Sequence, residues 1–277
     1  MTLTIIRPET ISGGSTELTL NVAITTKIVL VLEYDGTRYF GFQLQTDQPT
    51  IQGAVEEALE KLTGEKLRLM GASRTDTGVH ARGQVVSFRT STLYSEETFV
   101  KGLNHYLPKD IAVKGAYKVR DSFNIQRSAT SREYQYFILN SATRSPLQAN
   151  SAYQLSGKLD LAAMNQACQT LIGEHDFISF ASSLGPQVKR TVRQVHRAEV
   201  TRDGDMVIFT IISNSFLPHQ VRNTVGSLLK VGRGSLSNGE FCSIIEARQP
   251  GLAGPLAPAG GLFLVKVNYP RTFEEEK

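Results

Sequence analysis

The chain has 277 residues, of which 40% are apolar and 20% charged with no low-complexity repeat, a balance that excludes a disordered chain and fits one large domain or two closely joined ones. Its unbroken apolar runs, such as Ile28 to Leu32, fall far short of the roughly 20 residues that cross a bilayer. Thirty Lys and Arg against 26 Asp and Glu leave a net charge of +4, too small to name a partner, so the placement of charge matters more than its sum.

Residues 1–26 hold nine Ser or Thr and no apolar periodicity, which reads as a flexible extension. A basic region followed by an apolar core is missing, as expected without a secretory signal, and one Arg against two Glu is unlike a transit peptide. Cys168 and Cys242 are too far apart in the chain to suggest a disulfide framework and are expected as small core residues. The expected compartment is the cytoplasm, with no membrane attachment.

Lys27 to Tyr34 reads as a buried strand followed by the turn pair Asp35-Gly36. Thr50 caps a helix whose apolar positions Ile51, Val55, Ala58, Leu59 and Leu62 recur at helical spacing before Gly64 ends it. Leu67 to Met70 and Gln84 to Phe88 read as two strands joined by the loop Gly71 to Gly83. Ser95 opens a second helix with Glu96 and Glu97 in its first turn, expected to bury Phe99, Leu103, Tyr106 and Leu107 and to stop before Pro108. Ile111 to Val119 and Glu133 to Leu139 are strand-like.

Further on, Leu161, Met164, Cys168, Leu171 and Ile172 mark a helix closed by Gly173. Val195 to Thr201 and Met206 to Ile212 form a hairpin around Asp203-Gly204. Val221, Val225, Leu228 and Leu229 line a helix ending at Gly232, and Leu262 to Tyr269 is a last strand. Strands and helices alternate while hairpins are frequent, so the expected fold class is α+β with antiparallel or mixed sheets. Without a flexible linker near residue 150, the two halves should share a continuous sheet.

Charge concentrates in two places. Lys101 to Asn150 contains Lys101, Lys109, Lys114, Lys118, Arg120, Arg127, Arg132 and Arg144 against Asp110, Asp121 and Glu133, and a second cluster holds Lys189, Arg190, Arg193 and Arg197. Such patches are the footprint of a polyanion partner or, equally, solvated faces.

Most cofactor chemistry is missing. There is no phosphate loop and no His-Glu-x-x-His pair, and Gly232-Arg233-Gly234 follows a helix and reads as its terminator. Two distant cysteines and five dispersed histidines give no metal-ligand spacing. What remains is Ser73-Arg74-Thr75-Asp76-Thr77-Gly78-Val79-His80. If this segment is extended, Arg74 and Asp76 project to one side, and a guanidinium that close would favour and direct a carboxylate fit for a nucleophile or base. The competing reading is an Asp that caps a turn.

The segments RTDTGVHARGQVVSF, EYDGTRYFGFQLQ, RSATSREYQYFI and FLPHQVRNTVGSLLKVGRG together closely resemble the tRNA pseudouridine synthase A family, over about Lys27 to Pro270. The resemblance implies two similar α/β halves sharing a central sheet around a basic cleft, with 27–145 the catalytic half and 146–277 completing the RNA cleft. It makes Asp76 the catalytic nucleophile, sets Tyr134 against the target base, and puts Arg222 beside the nucleophile. Arg74 and Arg222 would orient Asp76 or engage flanking phosphates. The implied substrate is tRNA, at uridines 38, 39 and 40 of the anticodon stem-loop. The implied enzyme is a homodimer needing no cofactor and no metal. Departures are Phe42 for a usual Trp, Ser73 for a common Gly and Pro218 for a frequent aromatic, which bear on RNA contacts and leave the Asp intact. The alternative is a catalytically silent RNA-binding protein of the same fold. A carboxylate-dependent hydrolase is weaker, because the Arg-Thr-Asp loop offers one acid.

Overall fold

The computed structural model describes residues 25–182, 184 and 190–277, so nearly all of the expected N-terminal extension and Lys189 lie outside the described residues. The first strand, β1 (Thr26–Tyr34), turns Ile28, Leu30 and Leu32 into the core. Helix α1 (Ile51–Thr63) starts where the Thr50 hydroxyl accepts the Gly53 amide, and it buries Ile51, Val55, Ala58 and Leu59. A two-residue strand β2 (Met70–Gly71) leads through a loop to the long strand β3 (His80–Thr90). Helix α2 (Glu96–Tyr106), capped by Ser95, buries Phe99 and Leu103 and is followed by β4 (Ile111–Val119) and β5 (Ser131–Leu139).

The rest of the chain adds β6 (Tyr153–Gln154), α3 (Leu161–Leu171), β7 (Gly173–Asp176) and the hairpin of β8 (Val192–Asp203) with β9 (Met206–Ser213). Helices α4 (Gln220–Gly232) and α5 (Asn238–Ala247) precede the closing strand β10 (Leu262–Asn268). All ten strands join one mixed sheet in the order β4, β1, β3, β10, β5, β9, β8, β7, with β2 on β3 and β6 on β5. The last strand of the chain lies at the centre, parallel to β3 through Phe263 and Leu264 and antiparallel to β5. Among the described residues no helix is long and apolar enough to cross a membrane.

Helix α4 fixes one wall of the site. Eleven of its 13 residues are buried, so its polar side chains need protein partners. Asn223 donates to the Phe180 carbonyl at 2.8 Å, Thr224 to the Gln220 carbonyl at 2.8 Å, and the Ser227 hydroxyl accepts the Gly254 amide at 3.0 Å. A Cβ on Gly226 would stand 1.6 Å from the Pro255 carbonyl oxygen. Only glycine lets the 254–257 segment lie this close to the helix.

Several expectations need correction. The expected strand Leu67 to Met70 shrinks to β2, while β3 starts at His80 rather than Gln84, because parallel pairing with β10 extends it. Tyr106 is 42% exposed, lying on the outer side of α2. Helix α3 ends at Leu171, and Gly173 opens β7 instead of capping the helix. Cys168 is buried as expected, but Cys242 is only half-buried, on α5. Helix α5 itself was overlooked, although Ser237 and Glu240 form a capping box at its start. Gly239 and the short length weakened its periodic signal.

Candidate active site

Asp76 lies in the loop between β2 and β3, and that loop is built on buried polar contacts. The Thr75 hydroxyl meets the Tyr34 phenol at 2.8 Å, and Gln84, fully buried on β3, donates its amide to the Ser73 carbonyl at 2.9 Å. The residues one and three positions before Asp76 are thus tied to β1 and β3. From outside, the Phe42 amide donates to the Thr75 carbonyl at 3.0 Å. Gly36 allows the β1 turn to approach, since a Cβ there would lie 2.0 Å from the Val79 carbonyl oxygen. His80, also buried, accepts the Gly36 amide on Nδ1 at 3.1 Å and meets the Asn150 carbonyl through Nε2 at 2.7 Å. Nε2 also reaches the Gly260 carbonyl at 3.1 Å and Nδ1 lies 3.1 Å from Asp35 Oδ1, so His80 is a structural tie between these segments.

The cleft above this loop has a volume of about 510 Å³, and among the described residues Asp76 is the single carboxylate lining it, beside Arg74, Arg132, Tyr134, His219 and Arg222. Arg222, on the first turn of α4, donates through Nε to the Ala257 carbonyl at 2.7 Å and through Nη1 to Asp76 Oδ2 at 3.4 Å. Its side chain is 12% exposed against 34% for Asp76, so the arginine is the fixed partner and the carboxylate the accessible one. Tethering at Ala257 aims the guanidinium and thereby directs the carboxylate.

His219 Nε2 lies 3.7 Å from the same oxygen. The residue takes φ 63°, a left-handed conformation uncommon outside glycine and concentrated at functional sites. Tyr134 projects from β5 to the floor of the cleft, its hydroxyl 3.0 Å from Ser73 Oγ and its ring edge-on to Phe216 with centroids 5.2 Å apart. Burial pushes its phenol up to about 12, the Asp76 charge adding to the effect and the Ser73 hydrogen bond opposing it. Tyr134 is therefore a neutral hydroxyl at ordinary pH, able to donate or relay a proton.

The structure brings Asp76, Tyr134 and Arg222 together in one cleft, with Arg74 on its rim. The expected pairing of Arg74 with Asp76 does not occur. Arg74 is exposed and makes no ion pair among the described residues, and Asp76 meets Arg222 instead. The basic stretch 101–150 is also less free than its local count. Lys101, Lys114 and Arg120 pair with Glu97, Glu33 and Glu276, acids that precede or follow the stretch. In the second cluster Arg190 is exposed while Arg193 turns back to the carbonyls of Arg190 and Val192. Sequence reasoning overlooked His219, Arg132, Ser73 and Gln84 as site residues. His219 precedes Arg222 by three positions, and Arg132 precedes Tyr134 by two, the spacing that puts both on one face of a strand.

A family model described as tRNA pseudouridine synthase matches residues 30–126 and 167–270. That match, over a mixed sheet with a lone directed carboxylate, sets the class as an isomerase of the pseudouridine synthase kind. Among curated relatives, the tRNA pseudouridine synthase A of Caldicellulosiruptor bescii is 42% identical over 242 residues, covering 87% of this chain and 99% of that protein. The protein of the same name from Roseiflexus castenholzii is 43% identical over 88% of this chain and 90% of its own. That from Shewanella piezotolerans is 39% identical over 91% and 96%. The chain belongs to the tRNA pseudouridine synthase A family.

Proposed function

We propose that the chain converts uridine to pseudouridine at positions 38, 39 and 40 in the anticodon stem-loop of tRNA, with Asp76 as nucleophile and without a cofactor. Family membership supports the reaction on tRNA. The observation that carries the role of Asp76 is its position as the one carboxylate lining the cleft among the described residues, directed by Arg222 at 3.4 Å. A glycosidase needs a second carboxyl group across the scissile bond, and none lines the cleft among the described residues. A silent RNA-binding relative would need no directed carboxylate.

The reaction breaks the N1–C1′ bond, rotates the uracil and joins C5 to C1′; a proton leaves C5 and N1 gains one, with no net oxidation or hydrolysis. Attack at C1′, addition at C6 and removal of the C2′ proton are the three routes open to a carboxylate, and all need Asp76 ionised and accessible. Tyr134 offers a flat wall to an extruded base. Its neutral phenol can take the C5 proton as its own proton passes to Ser73 Oγ and on to solvent, so that no phenolate forms.

In this reading 27–145 supplies the catalytic loop and 146–277 completes the cleft, in a cytoplasmic homodimer. Support for the dimer is the sheet face opposite the cleft, where Phe137, Ile208, Ile212, Phe263 and Val265 are only half-buried. Incubating the purified chain with tRNA, without added metal, and mapping modified positions tests the proposal. Pseudouridine at 38 to 40 is the expected result; tight binding without conversion supports the silent alternative, and strand or glycosidic cleavage supports a hydrolase.

A further inference from the structure

Two guanidiniums of the cleft, Arg74 and Arg132, make no ion pair with a carboxylate among the described residues. Arg74 is exposed, so water compensates its charge. Arg132 is half-buried on β5, two residues before Tyr134 and on the same face. Its Nη1 donates to the Asn214 carbonyl at 2.8 Å, and its Nη2 to the carbonyls of Ala72 at 3.2 Å and Gln126 at 3.4 Å. These acceptors come from the segment before the Arg-Thr-Asp loop, from the turn before β5 and from the segment after β9. They orient the guanidinium without neutralising it. Burial lowers its pKa, as expected for a cation withdrawn from water without an opposite charge.

Holding an unneutralised cation in a partly dry wall costs free energy that a carboxylate would ordinarily offset. Three of the five N–H donors are engaged, which leaves two for a ligand. A guanidinium fixed in advance with donors to spare suits a phosphate oxygen, because little side-chain freedom is lost on binding. Along a strand, residues two apart stand roughly 7 Å from each other, so a base held against Tyr134 has its own backbone beside Arg132.

We propose that Arg132 is a phosphate-binding residue that takes the phosphodiester next to the target uridine. The inference rests on the proposed reaction on RNA and adds to it a backbone contact at the reacting nucleotide. The test uses full-length protein and anticodon stem-loop RNAs in which one phosphodiester beside the target uridine is replaced by an uncharged methylphosphonate. Wild type must first convert the unmodified RNA. Failure there overturns the reaction and leaves no site for this contact, whereas conversion isolates the role of Arg132.

At one of the two neighbouring linkages the neutral replacement should weaken wild-type binding about tenfold or more, the range of a charge-assisted contact. The same replacement should change the affinity of Arg132→Met less than about twofold. That variant should also show a slope of log affinity against log salt shallower by about 0.7. Equal linkage penalties in both proteins, with a lower melting temperature for the variant, would show that Arg132 is only a strap between three loops. Should Arg132→Met not fold, Arg132→Lys decides: a penalty at one linkage in wild type that shrinks in Arg132→Lys, which keeps the charge but not the planar fork, supports the contact, and no penalty at either linkage in wild type, or an equal one in both proteins, overturns it.

Discussion

The cleft has two walls of opposite origin. One is the loop from Ser73 to His80, contiguous in sequence and tied to β1 and β3 by Thr75 and Gln84. The other is the start of α4, whose Arg222 comes from 146 positions further along the chain and is tethered by Ala257, 35 positions beyond it. Arg74 and Arg222 carry the same group, yet only the distant one meets Asp76. Proximity in the chain gives no contact when a side chain is left to solvent, as that of Arg74 is, whereas a packed helix delivers its first-turn side chain to a fixed place.

The most severe break of this arrangement is Asp76→Asn, which preserves shape on the first wall and removes the charge. Conversion should fall below detection while tRNA binding persists, since affinity resides mainly in phosphate contacts. Residual turnover within about tenfold of wild type, ~1.4 kcal/mol of barrier, excludes Asp76 as nucleophile. Next comes Tyr134, which faces both walls. Tyr134→Phe keeps the ring and its packing on Phe216 but loses the hydroxyl; it should bind normally and lose about 10²- to 10⁴-fold in single-turnover rate. Tyr134→Leu should in addition lose about 1 to 3 kcal/mol of stacking. If Phe and Leu both match wild type in rate and affinity and only melt earlier, Tyr134 is a core residue and nothing more.

The two arginines sharpen the contrast directly. Arg222→Lys retains a charge but gives up the planar fork that joins Ala257 to Asp76, so the rate at saturating tRNA should fall about 10²-fold with affinity little changed. Arg74→Gln should act in the opposite sense, raising KM more than it lowers kcat and making the salt dependence of binding shallower by about 0.7 to 0.9. Similar effects of both variants on rate and affinity would erase the distinction between the walls.

The smallest effect is on stability at high pH. Burial raises the Tyr134 phenol from an ordinary 10.0 to about 12 and the Cys168 thiol from 9.0 to about 12, and it also raises Tyr34 and Tyr136. Folded-state values above the unfolded ones mean that the unfolded chain loses these protons first. Their contribution is therefore complete below about pH 9 and is lost progressively as the pH rises toward 12. Melting temperature should fall from about pH 9 upward, and less steeply for Tyr134→Phe; a flat profile from about pH 8 to about pH 11 contradicts the assignment.

Much of this was readable in the sequence. Period-two and helical spacings located β1, α1, α2, β4, β5, the β8–β9 hairpin and α4, because one-sided burial imposes those periods on any sequence that folds. Asp76 stood out as an acid in a loop between strands, and the resemblance of four ordered segments named Tyr134 and Arg222. Gly36 and Gly226 belong to those segments, but what makes them necessary, a carbonyl oxygen in the place of each missing Cβ, is visible only in three dimensions.

Tertiary structure alone decided what periodicity cannot encode. It put β10 between β3 and β5, gave His80 a structural task rather than a chemical one, and moved the partner of Asp76 from Arg74 to Arg222. It also withdrew charge from the basic stretch by pairing Lys114 with Glu33 and Arg120 with Glu276, while leaving Arg132 in the cleft with no ion pair among the described residues. Local pattern reports which face of an element is buried, because burial acts residue by residue along the chain. Which charges meet depends on where distant elements end, and only the packed fold fixes that.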